Sequence, residues 1–296
     1  MIYLDSIKLA SPSDEDGFVL SYPYQLEMQC FSHTNVYPFK LFPQKGLEHI
    51  EFAPVTVFYG GNGSGKSTLL NIIAEKLKLE RSAPFNDTPY MVSYLEFCKD
   101  ELAPRVNKIP HGSKKITSDD VFNFLLDIRA INEGVDRRRE ALFDEYTEAI
   151  DTPMRPLRSL GEFEDFKRRS EAKRSTKSKY VTKRLGGLEV DGKSNGESAF
   201  LYFTQKIGEN ALYLLDEPEN SLSAALQIKL MKFIEDSARF YGCQFVISTH
   251  SPFLLSMKGA KIYDLDSIPV SEKPWTELGN VRVYYDFFKE HMEEFE

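Results

Sequence analysis

A glycine-rich segment directly after an apolar run is the strongest constraint in this chain. The run from Val55 to Tyr59 has the β-branched and aromatic residues of a buried strand, and the segment Gly60-Gly61-Asn62-Gly63-Ser64-Gly65-Lys66-Ser67-Thr68 follows it. Apolar residues at helical spacing come next, at Leu69, Leu70, Ile72, Ile73 and Leu77. The segment therefore predicts a strand, a glycine loop and a helix, which is the context of a phosphate-binding loop.

The composition of this loop suits an anion. Its glycines permit backbone angles that side chains forbid, so successive N–H groups can turn toward one phosphate. The helix N-terminus adds unpaired N–H groups and a positive dipole end. We expect Lys66 to reach the β- and γ-phosphates and Ser67 to bind Mg²⁺. The predicted nucleotide-binding residues here are Gly60, Asn62, Gly63, Ser64, Gly65, Lys66, Ser67 and Thr68. The alternative is an ordinary glycine-rich turn before a helix.

Composition excludes several classes of protein. With a formal net charge of -8 the chain is not a nucleic-acid-binding polycation, so any such contact requires a local basic patch. The widely spaced Cys30, Cys98 and Cys243 favour reduced thiols over a disulfide framework or a zinc site. The N-terminus lacks the pattern of a signal peptide, and no apolar run approaches about 18 residues. We therefore expect a cytoplasmic protein without a membrane partner.

The first half of the chain changes character after the loop. Residues 1–58 contain short apolar runs, among them residues 18–20 and 26–31, that predict an antiparallel sheet leading into the strand before the loop. Tyr90 to Phe97 is predicted as a further strand. Ser118 is a predicted N-cap of a helix through Ile131, and a second helix is predicted from Leu142 to Ile150.

A basic segment follows, from Arg155 to Arg184. Its eleven lysines and arginines face few acids, in contrast to the acidic remainder of the chain. One interpretation is a surface that contacts the phosphates of DNA or RNA. The other is a solvated helix and loop, because such runs are common on solvent-facing helices.

The last hundred residues return to an α/β pattern. Ala211 to Leu215 is a continuous apolar run that ends in Asp216 and Glu217, as expected of a buried parallel strand with acids at its carboxyl end. A helix is predicted from Ser221 to Gly242, and the next strand, residues 244–248, precedes Thr249-His250-Ser251-Pro252. Functional residues at the ends of neighbouring strands are typical of a nucleotide site.

Three motifs resemble those of ATP-binding-cassette (ABC) ATPases. Leu214-Leu215-Asp216-Glu217-Pro218 resembles the Walker B segment, Lys193-Ser194-Asn195-Gly196-Glu197-Ser198 resembles the signature motif, and Thr249-His250-Ser251 resembles the switch histidine segment. Within that family the chain is similar to the SMC/RecF-like branch, and most of all to small bacterial AAA-family or ABC-type ATPases. The resemblance covers residues 1–80 and 190–296.

The resemblance implies a role for each residue. Lys66 and Ser67 hold phosphate and Mg²⁺, Asp216 supports the metal, Glu217 is the catalytic base and His250 senses the γ-phosphate of ATP. Residues 221–223 lie where the D-loop of the family stands. Ser194, Gly196 and Glu197 would contact ATP on a second subunit, which implies a head-to-tail homodimer enclosing two ATP molecules.

Each of these residues has a structural alternative. Glu217 could serve a helix dipole, Ser194 could be an N-cap with Glu197 completing a capping box, and His250 could be a core histidine. One departure from the family concerns the Q-loop, since no glutamine lies between Thr68 and Ser194; Glu96 is a candidate substitute.

The predicted fold is therefore α/β, an ABC-ATPase P-loop fold with a mixed core sheet, an N-terminal antiparallel β subdomain and a helical insertion. We predict an N-terminal lobe over residues 1–80, an insertion over 81–189 and a C-terminal lobe over 190–296. The first functional hypothesis is a Mg²⁺-dependent ATPase that dimerises on ATP and acts on DNA or on a separate effector protein, in anti-phage defence or DNA repair. The second is a nucleotide-gated scaffold or toxin-partner module with little turnover. The ATPase subunit of a transporter is a third, less favoured hypothesis.

Overall fold

The computed structural model describes residues 1–20, 36–85, 87–153, 163–185 and 194–295 of the chain. The predicted strand over residues 26–31 and the side chains of Cys30, Arg155, Arg158 and Lys193 lie outside these ranges. The chain forms two compact units: one combines Met1–Phe122 with Asn195–Glu296, and the other is Asn123–Ser194.

Nine strands, all in the first unit, make two sheets within the described residues. They are β1 (Leu4–Lys8), β2 (His49–Glu51), β3 (Val55–Tyr59), β4 (Lys99–Leu102), β5 (Lys114–Thr117), β6 (Leu212–Asp216), β7 (Gln244–Ser248), β8 (Lys261–Asp264) and β9 (Ser271–Glu272). The small sheet has the order β2-β1-β4 and is antiparallel. The large sheet has the order β5-β6-β7-β3-β8-β9, in which only the pairing of β8 with β9 is antiparallel.

The central strands of the large sheet are buried along their whole length. Every residue of β3, β6 and β7 is buried, which agrees with their largely apolar sequences. In the parallel register Asp216 lies beside Ser248, and Ser248 lies beside Phe58. The carboxyl ends of β6, β7 and β3 therefore meet at one edge of the sheet, where the residues that follow each strand come together.

Ten α-helices belong to the described chain. They are α1 (Pro12–Val19), α2 (Lys66–Lys76), α3 (Tyr90–Phe97), α4 (Ser118–Asp151), α5 (Phe163–Arg174), α6 (Lys177–Leu185), α7 (Asn195–Lys206), α8 (Ala224–Phe240), α9 (Pro252–Leu255) and α10 (Gly279–Glu290). No helix in the described ranges is both long enough and apolar enough to span a membrane.

Three local predictions were wrong. The run Tyr90–Phe97, predicted as a strand, is helix α3, which buries Tyr90, Met91 and Tyr94 on one helical face. An eight-residue apolar run has no period that separates a strand from a buried helix. Residues 18 and 19 belong to helix α1, which a capping box between Ser11 and Asp14 begins.

The third wrong prediction concerns the helices after residue 117. The two predicted helices are one continuous helix, α4, of 34 residues. Val135 is buried in the stretch between them, so an apolar contact continues across the predicted gap. The cap of this helix is Thr117 rather than Ser118, because the Thr117 hydroxyl accepts from the Asp120 amide at 3.3 Å while Asp120 Oδ2 accepts from the Thr117 amide at 2.8 Å.

The second unit has its own hydrophobic core. Apolar residues of α4 pack with residues of α5 and α6, and the buried set is Val135, Leu142, Ala149, Ala172, Tyr180, Val181 and Leu185. The Tyr146 hydroxyl donates to the Ser175 carbonyl at 3.0 Å, and the Tyr180 hydroxyl donates to Glu145 at 2.7 Å. The described part of this unit is therefore a small helical assembly.

Candidate nucleotide-binding site

The glycine loop connects β3 to α2 as its sequence predicts. Gly63 and Gly65 have φ angles of +78° and +100°, and Gly65 is the left-handed N-cap of α2. A Cβ atom at Gly60 would lie 2.5 Å from Ser64 Oγ. These positions require glycine because a side chain would be strained at 63 and 65 and would collide at 60.

Lys66 is buried beneath the loop. Its Nζ donates to the carbonyls of Gly60 at 2.7 Å and Gly61 at 3.0 Å, and only 4% of the side chain is exposed. The same ammonium lies 3.8 Å from Glu217 Oε1. Two of its three protons are therefore directed into the loop, and one remains for an anion held above it.

The loop joins the carboxyl end of β6 through Ser67. The Ser67 hydroxyl donates to Asp216 Oδ1 at 2.9 Å, and the Ser248 hydroxyl donates to the same oxygen at 2.5 Å. Asp216 is the last residue of β6 and Ser248 is the last residue of β7. Sequence analysis paired Ser67 with Asp216 but did not identify Ser248, although its place at a strand end was a usable signal.

The pair of Ser67 and Asp216 fits a magnesium ion. Mg²⁺ binds oxygen ligands at about 2.1 Å in octahedral geometry, so two adjacent ligands lie roughly 3.0 Å apart. The separation of 2.9 Å between Ser67 Oγ and Asp216 Oδ1 matches this spacing. A hydroxyl and one carboxylate leave the remaining positions for water and phosphate oxygens, as Mg²⁺ prefers.

A buried lysine completes the surroundings of Asp216. Lys115 Nζ lies 3.1 Å from Asp216 Oδ2 and donates to Asn71 Oδ1 at 2.6 Å. Its side chain is 2% exposed, and desolvation lowers the pKa of this lysine, while the negative charge of Asp216 raises it. Sequence analysis missed Lys115 because it lies in β5, far from the motifs in sequence, and no motif contains it.

Glu217 has an unusual backbone conformation at the site. Its φ angle is +48°, which L-residues other than Asn and Asp rarely adopt. Its amide donates to the Ser248 carbonyl at 3.0 Å, and its Oε2 accepts from the Asn220 side chain at 3.2 Å. The side chain is 28% exposed, so it is held in place while remaining open to solvent on one side. Such strain marks candidate functional residues.

His250 lies after β7 against a buried acid. Glu219 Oε1 accepts from the His250 amide at 3.0 Å and from the Thr249 hydroxyl at 2.7 Å, and it lies 3.5 Å from His250 Nδ1. Burial raises the pKa of Glu219, while these donors and the nearby imidazole lower it. The His250 carbonyl accepts from Asn280 Nδ2 at 2.8 Å, and 46% of the His250 side chain is exposed. Glu219 was not singled out by sequence analysis, although it stands in the same acidic run as Glu217.

The predicted signature residues stand at the N-terminus of α7. Ser194 and Glu197 are exposed, and Gly196 is half-buried. A Cβ atom at Gly196 would come within 2.8 Å of Leu226 Cδ1 and 3.4 Å of the Ser221 carbonyl. Gly196 thus permits close packing of α7 beside the predicted D-loop, where Ser221 has a φ of +70°.

The remaining predicted residues lie in the glycine loop and at the start of α2. Thr68 Oγ1 accepts from the Tyr37 hydroxyl at 2.9 Å. Asn62 and Gly63 are exposed, and Ser64 Oγ is buried without a hydrogen-bond partner among the described residues. The Gly61 amide donates to Asp266 Oδ2 at 2.8 Å, a contact that sequence analysis did not foresee.

Two further candidates lie outside this arrangement. Glu96, the candidate substitute for the Q-loop glutamine, is an exposed residue of α3. The described basic residues belong to the second unit, where Arg168 and Arg169 both pair with Asp165 and where Lys183 and Arg184 pair with Glu171. Much of the positive charge in this segment is therefore neutralised within the unit.

Part of the chain matches a known protein family. The family model described as "AAA domain, putative AbiEii toxin, Type IV TA system" matches residues 100–256, just over half of the chain. An uncharacterized ABC transporter ATP-binding protein/permease of Saccharomyces cerevisiae is 26% identical over 200 residues, which are 67% of this chain and 14% of that protein. The chain thus spans about one seventh of the length of that relative.

Solved structures with a similar course of the chain include two SMC heads. The SMC head domain from Thermotoga maritima has 14% identity and a TM-score of 0.37, with 92% of this chain and 99% of that chain covered. The Smc head domain derived from Pyrococcus furiosus, bound to the C-terminal domain of ScpA, has 12% identity and a TM-score of 0.42, with 99% and 100% covered.

Proposed function

The chain belongs to the family of AAA domains whose description names a toxin of type IV toxin–antitoxin systems, and from that membership we propose that it is a Mg²⁺-dependent ATPase that dimerises on ATP. The match confirms the sequence-based identification of an AAA-family, ABC-type ATPase domain. Hydrolysis, the metal, the dimer and the biological role are the proposal.

One observation carries the proposal. The Ser67 hydroxyl bonds to Asp216 Oδ1 at 2.9 Å, which joins the phosphate loop to the acidic end of β6. Lys66 Nζ lies 3.8 Å from Glu217 Oε1, so the loop lysine also approaches the acids at the end of β6. A glycine turn of purely structural use would not need a buried ammonium, a hydroxyl and two acids at one point.

The chain's own residues account for the proposed chemistry. The loop amides and Lys66 bind and orient the triphosphate, because they present several donors to one anion. Mg²⁺ held by Ser67 and Asp216 would neutralise charge that develops on the phosphate oxygens. In this proposal Glu217 accepts a proton from the attacking water at a carboxylate oxygen, and the hydrogen bond from Asn220 limits the rotation of that carboxylate.

The dimer is proposed from the signature residues. Ser194 and Glu197 are exposed at the start of α7, so they are accessible to a second copy of the chain. In the proposed head-to-tail dimer they contact ATP held by the other subunit.

A single variant tests both parts of the proposal. Glu217→Gln keeps the size of the side chain but removes the base, so it should bind Mg-ATP, lose turnover and double its mass on light scattering when Mg-ATP is added. The double variant Lys66→Ala, Glu217→Gln is the control that should bind no ATP and stay at the mass of one chain. Turnover at the wild-type rate in Glu217→Gln would exclude Glu217 as the base. Bound ATP without a change in mass would contradict dimerisation.

The family description favours one second candidate, a nucleotide-gated toxin module that acts with a separate protein. In that case expression of the chain should slow the growth of a bacterial host, and Lys66→Ala should abolish the effect. The wild-type chain should also be expressed together with the product of its neighbouring gene. Growth that is unaffected in both experiments would exclude this role.

A nucleic-acid backbone is the proposed partner of the basic segment. The second unit contains a cavity of about 590 Å³ lined by Lys167, Arg174, Lys179 and Lys183 together with Glu171. Lys167, Arg174 and Lys179 make no ion pair with any described residue, so their charge is available to phosphates. This site would bind phosphates without reading bases.

A further inference from the structure

A second cavity, of about 710 Å³, lies beside His250 in the first unit. We call it the aromatic cavity because Trp275, Tyr284, Tyr285 and Phe288 line it together with Glu219. Trp275, Tyr284 and Phe288 are between 38% and 53% exposed and are therefore accessible to a ligand, whereas Arg282 already lies over the ring of Tyr285. The volume lies within the range of roughly 300 to 1,000 Å³ that is usual for small-molecule sites.

Glu219, one of the residues that line this cavity, has one carboxylate oxygen without a hydrogen-bond partner among the described residues. Glu219 is 6% exposed, and its Oε1 accepts from Thr249 and His250. Its Oε2 is buried and has no hydrogen-bond partner among the residues that the structure describes. A buried carboxylate oxygen without a donor is destabilising, so a ligand that supplies a donor would be bound favourably.

The cation that already lines the cavity does not fill this role. Arg282 stacks over Tyr285, with its guanidinium carbon 4.8 Å from the ring centroid. The same guanidinium lies 3.5 Å from Asp286 Oδ1, within its own helix α10. The charge of Arg282 is thus balanced by Asp286, and Glu219 keeps its capacity for a donor.

The wall chemistry selects the class of ligand. Aromatic faces attract cations, and guanidinium or ammonium groups bind to them most strongly when they are also removed from water. An anion would be repelled by Glu219, and a purely apolar molecule would leave Oε2 unpaired. A positive group on an apolar stem satisfies both the rings and the acid.

We propose that the aromatic cavity binds an organic cation, an alkylguanidinium or alkylammonium group that pairs with Glu219 and packs against Trp275 and the rings of α10. The group can come from a free small molecule or from an arginine or lysine side chain of another polypeptide. Neither ATP binding nor ATP hydrolysis is required for this site.

The tryptophan supplies a direct measurement. Trp275 is the only tryptophan of the chain, so its fluorescence reports on the cavity without a label. The full chain is titrated without nucleotide with n-butylguanidinium, with the peptide acetyl-Gly-Arg-Gly-amide and with the neutral isostere n-butylurea. A saturable change with either cation, at least tenfold tighter than with n-butylurea, is expected. Tighter binding of n-butylguanidinium would indicate a free small molecule as the ligand, and tighter binding of the peptide would indicate a side chain of another polypeptide.

Two variants and one control decide the role of Glu219. Glu219→Gln keeps an oxygen for Thr249 and His250 but removes the charge, and it should weaken cation binding at least tenfold. Glu277→Gln removes an exposed acid two residues from Trp275 and should leave binding unchanged. If Glu219→Gln does not fold, Phe288→Leu, which removes only a ring face, should weaken binding about threefold. Equal affinity for n-butylurea, no saturable response to either cation, or unchanged binding in the folded variants would overturn the proposal.

Discussion

The nucleotide-binding site and the basic segment both contain lysines and arginines, but they use them differently. In the site two lysines are almost completely buried, and both approach acids of one strand end: Lys66 lies near Glu217 and Lys115 pairs with Asp216. In the second unit the cations are more exposed, and acids of the same small unit pair with many of them, as Lys183 does with Glu171. Convergence on acids and burial, rather than the number of positive charges, therefore distinguish a binding site from a solvated surface.

The largest effect should come from breaking the buried pair of Lys115 and Asp216. Lys115→Met keeps the volume of the side chain but leaves Asp216 without its cation, so the free energy of unfolding should fall by about 3 to 5 kcal/mol. Urea unfolding at pH 7 measures this change. Lys183→Ala removes one partner of an exposed pair and should change the same quantity by less than about 1 kcal/mol.

The double variant Lys115→Met, Asp216→Asn sharpens this test. If the buried charge is the cause, removing both charges should restore most of the stability that Lys115→Met loses. A double variant that is less stable than the single one would show that packing of the lysine stem matters instead.

Much of the nucleotide-binding site could be predicted from the sequence, but the ion pair between Lys115 and Asp216 could not. Short stretches of sequence were enough to predict the glycine loop, the acids at the end of β6 and the residues after β7. Each stretch combines an apolar strand with the residues that follow its carboxyl end. Lys115 comes to Asp216 only because β5 pairs with β6, and no local pattern specifies that pairing. The strand predicted at Tyr90–Phe97 failed for a related reason, since burial on a helix and burial in a sheet select the same apolar residues.

The second prediction concerns Lys66. Lys66→Ala should weaken ATP binding at least a hundredfold, about 2.7 kcal/mol, because the loop loses the ammonium that would bind the phosphates in the proposed complex. Equilibrium dialysis with Mg-ATP measures the affinity. Lys179→Ala, an exposed cation of the second unit, is the matched control and should bind ATP with unchanged affinity. Equal losses in the two variants would remove the distinction between buried and exposed cations.

The third prediction tests a buried acid that makes no ion pair with a residue in the described part of the chain. Glu15 is buried in α1, and burial raises its pKa to about 7, while a hydrogen bond from the Lys40 amide lowers it. Because the folded-state pKa lies above the unfolded value, the native chain holds a proton that the unfolded chain has lost between about pH 4.5 and pH 7. Stability should therefore fall as the pH rises through that window.

Glu15→Gln should remove this fall in stability with rising pH, because glutamine does not ionise. At pH 8 the variant should be more stable than the wild type by about 3 kcal/mol, and at pH 4 the two should be nearly equal. Thermal unfolding across this range provides the measurement. A constant difference between the two chains at all pH values would mean that packing, and not ionisation, separates them.

The smallest effect is expected at the basic segment, where paired and unpaired cations can be compared within one unit. Replacing Lys167, Arg174 and Lys179 by glutamine should weaken binding to a DNA duplex about tenfold at low salt and reduce the salt dependence by about three phosphate contacts. Replacing Arg168 and Arg169, which already pair with Asp165, should weaken it less than about threefold. Fluorescence anisotropy at several salt concentrations separates the two variants. If both sets of replacements weaken DNA binding equally, the ion pairs with Asp165 do not compete with phosphate. The number of positive charges alone would then determine the affinity of this segment for DNA.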